Sequence, residues 1–178
     1  MTQRFSITRR ADFSPDDEAE LKGLSQQVYP PEAMTDWPGR HIEWARTTHS
    51  IRCWSDDVLV AHAGLLVRSG RIDDRTVTLG GVGGVMVHPG HRRQGLATAT
   101  MHRAPTWFAE QQVDFAVLVC VPELFTLYGR AGWQVFEDTL WVQQPGGRVP
   151  FTFNRPMTLS VGLEAPITGA LDLCGLPW

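Results

Sequence analysis

The chain has 178 residues, a formal net charge of -3, and 43% hydrophobic against 20% charged residues. That length fits one domain able to bury a core, and that composition excludes a disordered chain. The arginines are local and form no stripe, which argues against a nucleic-acid surface; no apolar run approaches the roughly 18 residues of a membrane span.

The N-terminus, MTQRFSITRRADFSPDDEAE, has no apolar core of a signal peptide. Cys53, Cys120 and Cys174 are odd in number and far apart. They fit reduced thiols in a cytoplasmic protein better than a disulfide framework or a zinc site, so no metal is expected. Phe5 to Arg9 reads as a short first strand. Ser14-Pro15-Asp16-Asp17-Glu18 predicts a helix start, with Ser14 as N-cap, Pro15 at the first helical position and acids in the first turn. Tyr29-Pro30-Pro31 ends that helix near Val28, because proline supplies no helical N–H. Pro30 to Gly39 is loop-like and carries Glu32, Asp36 and Trp37. A short helix is expected around His41 to Arg46. Ile51 to Trp54 and Val58 to Arg68 read as paired strands joined by the turn Ser55-Asp56-Asp57. A second turn, Arg71 to Asp74, leads into a long strand from Thr76 to Val87.

The stretch Gly80 to Thr100, GGVGGVMVHPGHRRQGLATAT, carries the chemistry. An apolar strand turns through His88-Pro89-Gly90 into the basic loop His91-Arg92-Arg93-Gln94-Gly95, and a helix follows. The first amides of a helix have no partner within it, and the helix dipole adds positive charge there. Two arginines beside such amides suit a phosphate or pyrophosphate, and Gly95 allows close approach. By spacing alone, an ordinary strand–loop–helix with a solvated basic turn fits as well. A Walker-type loop is excluded because no Gly-Lys-Ser/Thr follows, and the G-x-G-x-x-G spacing is absent after the strand. The helix should reach about Gln111, with Pro105 kinking or breaking it. Asp114 to Val121 reads as a buried strand and Pro122 to Ala131 as a helix. Trp133 to Gln143 and Phe151 to Val161 read as two further strands around Gln144-Pro145-Gly146-Gly147. No repeat or linker divides the chain, so 1–178 is read as one domain.

Arg92-Arg93-Gln94-Gly95-Leu96-Ala97 fits the Q/R-x-x-G-x-G/A signature of the GNAT acyltransferases. Val85-Met86-Val87-His88-Pro89 resembles the strand and turn that precede it in that family. Leu127-Tyr128-Gly129-Arg130-Ala131-Gly132-Trp133 resembles the family's segment after the fifth strand. The resemblance implies an α/β (α+β) GNAT fold, a central mixed, splayed sheet of about seven strands flanked by helices. It implies acetyl-CoA as acyl donor, with backbone groups of Val85, Met86 and Val87 along the pantetheine arm. Amides of Arg93, Gln94, Gly95, Leu96, Ala97 and Thr98 would cradle the pyrophosphate, with Arg92 and Arg93 adding charge. Tyr128 would be the general acid that protonates the departing thiolate; the alternative is a tyrosine packed on the sheet. Many members carry a glutamate as base on the fourth strand, where this chain reads Gly81-Val82-Gly83-Gly84. Other proton acceptors are Glu32, Asp36, His41, Glu43, Glu123, Asp172 and the carboxylate of Trp178, most of them solvated. His62 reads as a packed, hydrogen-bonded histidine and Cys120 as core. Trp37, Trp44 and Trp178 lie outside strong strands and are candidates for a pocket wall.

Within that family the chain looks most like the aminoglycoside 2'-N-acetyltransferases, on Thr35-Asp36-Trp37, Val60-Ala61-His62-Ala63, the Arg-Arg-Gln-Gly loop and the tail ending Leu173-Cys174-Gly175-Leu176-Pro177-Trp178. This implies an acceptor site of Asp36, Trp37, Gly83, Asp172 and Trp178, with the tail 162–178 lining it. The missing glutamate and the missing acids beside Trp178 point to a substrate less cationic than an aminoglycoside. The glycines from Gly80 to Gly84 suggest a cleft widened for a larger acceptor or acyl chain, and a fainter likeness to nodulation-type N-acyltransferases points to long acyl donors. The expected activity is acetyl transfer to a primary amine of a small molecule. The alternatives are a GNAT-shaped CoA- or ligand-binding protein without transferase activity, or an acyltransferase with a longer donor. The family resemblance also implies a homodimer.

Overall fold

The computed structural model describes residues 3–178. Strand β1 (Gln3–Arg9) leads into helix α1 (Pro15–Val28). Ser14 caps α1 through a reciprocal box: its hydroxyl accepts from the Asp17 amide, and the Asp17 carboxylate accepts from the Ser14 amide. Asp17 also holds the buried Arg52 of strand β2 (His49–Ser55), so the start of α1 is anchored to the sheet. A single turn, α2 (Pro31–Met34), follows the helix-ending prolines. The helix expected at His41 to Arg46 is absent. A 3-10 turn spans Pro38–His41, and the backbone beyond it bonds elsewhere, Ala45 N–H to the Pro177 carbonyl at 2.6 Å and Glu43 N–H to Gln144 at 3.0 Å.

Strands β2 and β3 (Val58–Ile72) form a hairpin whose turn residues Asp56 and Asp57 have φ of 48° and 66°, the signature of a type I′ turn. Strand β4 (Arg75–Val87) pairs antiparallel with β3 along most of its length. Then come α3 (Leu96–Met101) and α4 (Ala104–Glu110), where one helix was expected; Pro105 sits in the first turn of α4 and breaks the run. Next are β5 (Phe115–Cys120), α5 (Phe125–Gly129), β6 (Gln134–Val135), β7 (Leu140–Gln144), β8 (Gly147–Pro150), β9 (Arg155–Ser160) and β10 (Leu171–Asp172). The expected strand from Trp133 is thus two strands, the segment from Gly147 adds a hairpin partner, and the tail itself enters the sheet between β3 and β7. Ten strands form the sheet, more than the seven expected, because short segments take up edges left open by the long strands.

The strands alternate between two cores. Leu65, Ala116 and Leu118 face α3 and α4 with Met101 and Phe108, while Leu66, Phe115 and Val117 face the other side with Phe136, Leu140 and Trp178. None of the described helices is long and apolar enough to cross a membrane.

The feature that positions everything else is a fork. Strands β4 and β5 run parallel and paired only from Leu79–Phe115 to Val82–Leu118. Beyond Val82 they separate. Two devices hold them apart. The buried indole of Trp178 packs on Gly81 and donates its N–H to the Val117 carbonyl at 3.1 Å. Gly84 adopts φ of +57° inside a register shift opposite β3, which bends β4 away. Gly80, Gly81 and Gly83 are therefore filled by packing and not left as open cleft, whereas Gly84 meets nothing closer than His62 at 3.8 Å and lines the cavity. A Cβ on Gly80 would lie 2.6 Å from the Phe108 ring, and one on Gly83 would lie 2.8 Å from the main-chain carbon of Trp178. A Gly81→Val substitution should overpack this junction and lower the unfolding free energy by about 1–3 kcal/mol, read in a denaturant titration. Unchanged stability would show that Trp178 is not held there.

Candidate active site

The fork opens into a cavity of about 1100 Å³. Val82 to Val85 of β4 form one wall and Leu118 to Val121 the opposite one. The end of α1 with Tyr29, the α5 residue Tyr128, and an aromatic wall of Trp37, Trp44 and Phe153 complete it. Its floor is the Trp178 junction.

His62 sits at the base of the β4 wall and is 5% exposed. Its Nδ1 lies 2.8 Å from the Gly84 carbonyl oxygen, and its Nε2 lies 3.0 Å from the Ser50 hydroxyl. A carbonyl oxygen only accepts, so Nδ1 carries the proton, and Nε2 accepts from Ser50. The neutral ring thus clamps the left-handed bend at Gly84, tying β2, β3 and β4 together at the fork. Burial pushes the imidazole down to about 4, against a smaller upward pull from the Gly84 carbonyl. The reading of His62 as a packed, hydrogen-bonded residue agrees with this geometry, with the addition that it lines the cavity.

Tyr128 is 5% exposed, lines the cavity, and donates to no partner among the described residues. Burial pushes its hydroxyl well above the usual phenol range, and the neighbouring Cys120 and Tyr29 add to the rise. The group is therefore a protonated phenol throughout the neutral range. The Cys120 thiol is itself pushed up to about 11 by burial, so it is no nucleophile.

The loop after β4 joins the wall strand to α3, and none of its residues lines the cavity. Arg93 has φ of 62° and Gly95 has φ of 76°, two left-handed residues that curl the backbone before α3. The first intrahelical bond runs from the Ala99 N–H to the Gly95 carbonyl at 2.9 Å, and no N–H from Arg93 to Thr98 donates a hydrogen bond among the described residues. The side chains of Arg92, Arg93 and Gln94 are exposed, and neither arginine has an ion-pair partner among the described residues. This is a cradle of free amides flanked by positive charge.

A family model described as an acetyltransferase (GNAT) domain matches residues 13–136. The chain belongs to the GNAT acetyltransferase family. It is thereby an acyltransferase, and its fold is one that binds acyl-CoA. Solved structures agree on the fold. Escherichia coli ElaA superposes with a TM-score of 0.64 at 18% identity, covering 89% of this chain and 100% of its own. An acyl-CoA N-acyltransferase from Pseudomonas aeruginosa gives 0.62 at 19%, with 89% and 100% covered. The GNAT family N-acetyltransferase YhbS from E. coli, in complex with CoA, gives 0.62 at 16%, with 97% and 91% covered. No curated protein matches the chain in sequence.

The GNAT donor ligand fits what the residues offer: an unpaired β4 edge beyond Val82 leading to the free amides of Arg93 to Thr98. Val85 lines the cavity, whereas the side chains of Met86 and Val87 turn into packing against Leu24 and Trp54, and against Val60 and Leu96. Of the residues expected around the acceptor, Trp37, Gly83 and Trp178 meet at the cavity. Asp36 and Asp172 do not. Asp36 is 98% exposed and its nearest cation is Arg40 at 3.9 Å. The Asp172 carboxylate is held by Arg148 and by the Cys174 amide, because β10 places it at the far end of β3. Tyr29, Arg46 and Phe153 line the cavity without having been singled out. Only Tyr29 had a signal in the sequence, its place directly before the prolines that end α1.

A histidine held at about 4 when folded and near 6.5 when unfolded makes the unfolded chain bind the extra proton between those values. His62 therefore destabilises the fold progressively as pH falls from 6.5 to 4, by about 3 kcal/mol at the limit. Urea titrations across that window should show the loss in wild type, and a His62→Phe variant should lack it. An identical slope in both would contradict the buried, neutral imidazole.

Proposed function

We propose that the protein is an acetyl-CoA-dependent N-acetyltransferase acting on a primary amine of a small molecule. The observation that carries this reading is the protonated Tyr128 hydroxyl facing the same cavity as the unpaired β4 edge. Acetyl-CoA supplies an activated acetyl group on sulfur. Backbone groups of Val85, Met86 and Val87 align the pantetheine arm as an added strand. The amides of Arg93, Gln94, Gly95, Leu96, Ala97 and Thr98 bind the pyrophosphate, and Arg92 and Arg93 balance its charge. Tyr128 holds a proton on its phenolic oxygen for the departing sulfur. Trp37, Gly83 and Trp178 border the acceptor.

The family's usual carboxylate is missing at Gly81 to Gly84, and His62 has both ring nitrogens engaged. No side chain at the fork among the described residues is free to take the amine's proton, and the C-terminal carboxylate of Trp178, packed against Gly83 where the usual carboxylate is missing, is the group that receives it, directly or through water. The aminoglycoside-modifying likeness belongs to the shape of the site. Its charge supports a less cationic acceptor, since Asp36 and Asp172 point away from the cavity and Glu18 is bonded to Arg10 at 2.7 Å. Three free cysteines support a cytoplasmic setting.

A Tyr128→Phe variant should lose about 100-fold or more in kcat while keeping its affinity for CoA. Turnover equal to wild type would remove Tyr128 from the acid role. Gly95→Val adds a β-branched side chain at a left-handed position and should raise the Kd for CoA at least about tenfold, measured by calorimetry. Unaltered affinity would contradict the loop assignment.

A further inference from the structure

We infer that the acceptor is an arylalkylamine carrying a single ammonium, its ring against Trp37, Trp44 and Phe153 and its ammonium on the C-terminal carboxylate of Trp178. This rests on the acyltransferase reading above and specifies its second substrate.

The ring site is preorganised. Trp37 stacks on Trp44 with centroids 5.9 Å apart and planes at 26°. Phe153 stands edge-on to both, at 5.6 Å and 89° from Trp37 and at 6.2 Å and 75° from Trp44. Gly39 lies so close to the Trp37 ring that a Cβ there would collide with it, and the Gly39 carbonyl accepts from the Trp44 indole N–H at 3.2 Å. One residue thus seats both indoles. All three rings line the cavity, and they offer a flat ring offset-stacked and edge contacts.

The carboxylate adjoins this corner. The N–H of Ala45, the residue after Trp44, donates to the Pro177 carbonyl at 2.6 Å, which ties the peptide before Trp178 to the corner. Trp44 and Phe153 pack against the same core as the Trp178 ring. The terminal carboxyl carbon of Trp178 sits against β4, where a Cβ on Gly83 would lie 2.8 Å from it. No ion pair engages that carboxylate among the described residues. An ammonium held there stands at the β4 wall, with the rest of its molecule directed toward the rings.

Charge limits the acceptor to one ammonium. The only side-chain carboxylate lining the cavity among the described residues is Glu18, bonded to Arg10 at 2.7 Å. Arg46 is exposed, lines the cavity and has no ion-pair partner among the described residues. A second ammonium would leave water for a wall that offers it arginines and no free counterion.

Proton transfer uses the same pair of groups. The Trp178 carboxylate takes one proton from the ammonium, directly or through water, and passes it to solvent. The freed nitrogen forms the bond to the acyl carbon. The carbon–sulfur bond breaks, and sulfur leaves with its electron pair and the Tyr128 proton. The nitrogen's second surplus proton returns to Tyr128 through water. One proton is released per turnover, and no oxidant or reductant is needed.

The test is free-thiol release from acetyl-CoA by the full chain with phenethylamine, butylamine, spermidine and kanamycin, alongside calorimetric CoA binding. The expected kcat/KM for phenethylamine is at least about 100-fold above spermidine and kanamycin and about tenfold above butylamine. Trp37→Ala should lower the value for phenethylamine about tenfold and leave that for butylamine within about twofold. Extending the chain by two glycines after Trp178 turns its carboxylate into an amide, and should lower kcat/KM for both monoamines at least about 100-fold with CoA affinity unchanged. If CoA binds and spermidine or kanamycin is the better acceptor, or no amine of the panel is acetylated, the inference is overturned. Equal losses for phenethylamine and butylamine in Trp37→Ala overturn the ring site. Wild-type turnover by the extended chain overturns the role of the carboxylate. If CoA does not bind to the wild-type chain, the underlying acyltransferase reading fails.

Discussion

The separation of β4 from β5 beyond Val82 is the constraint on which the rest of this structure depends. A parallel pair would ordinarily continue its ladder, since an unpaired strand edge leaves backbone groups without partners. Here the ladder is stopped from two sides. Trp178 fills the crotch of the fork and takes the Val117 carbonyl, and glycines at 81 and 83 leave the room it needs. On the β4 side, Gly84 bends the strand and His62 holds the bend by its carbonyl. The result is an edge kept unpaired by tertiary packing and available to a ligand.

The chemistry of the cavity follows from what is buried beside that edge. Desolvation keeps Tyr128 protonated and His62 neutral, so the site holds a proton to give on Tyr128, while the C-terminal carboxylate of Trp178 lies beside Gly83 on the same cavity. The side-chain carboxylates that a polycationic acceptor would need are engaged elsewhere, Asp172 on Arg148 and Glu18 on Arg10, which leaves the C-terminal carboxylate of Trp178 at the cavity.

Much of this was legible in the sequence where local rules act alone. The Ser14 cap, the hairpin turn at Asp56-Asp57 and the loop from Arg92 to Ala97 are read from a few adjacent residues, and each stands where expected. The motif order disclosed the family, now supported by the match over residues 13–136. The rest required knowledge of what packs against what. The glycines at 80, 81 and 83 looked like space, but the space is filled by Phe108 and Trp178, residues tens of positions away. Asp172 looked like an acceptor-site acid until β10 entered the sheet and turned it toward Arg148. The expected helix at His41 to Arg46 lost to hydrogen bonds with Pro177 and Gln144, partners over a hundred residues distant in the chain. Phe153 and Arg46 carry no local signal at all, because their place on the cavity is decided only when β9 and the loop before β2 are assembled.

The most direct test of the account is amide hydrogen exchange with and without CoA. The fork predicts that CoA slows exchange in two segments above all, Val82 to Val87 and Arg93 to Thr98, because the first gains a ligand along its open edge and the second closes its free amides on phosphate. Protection confined to other parts of the chain, or none at saturating CoA, would contradict the assignment of the fork as the acyl-donor site.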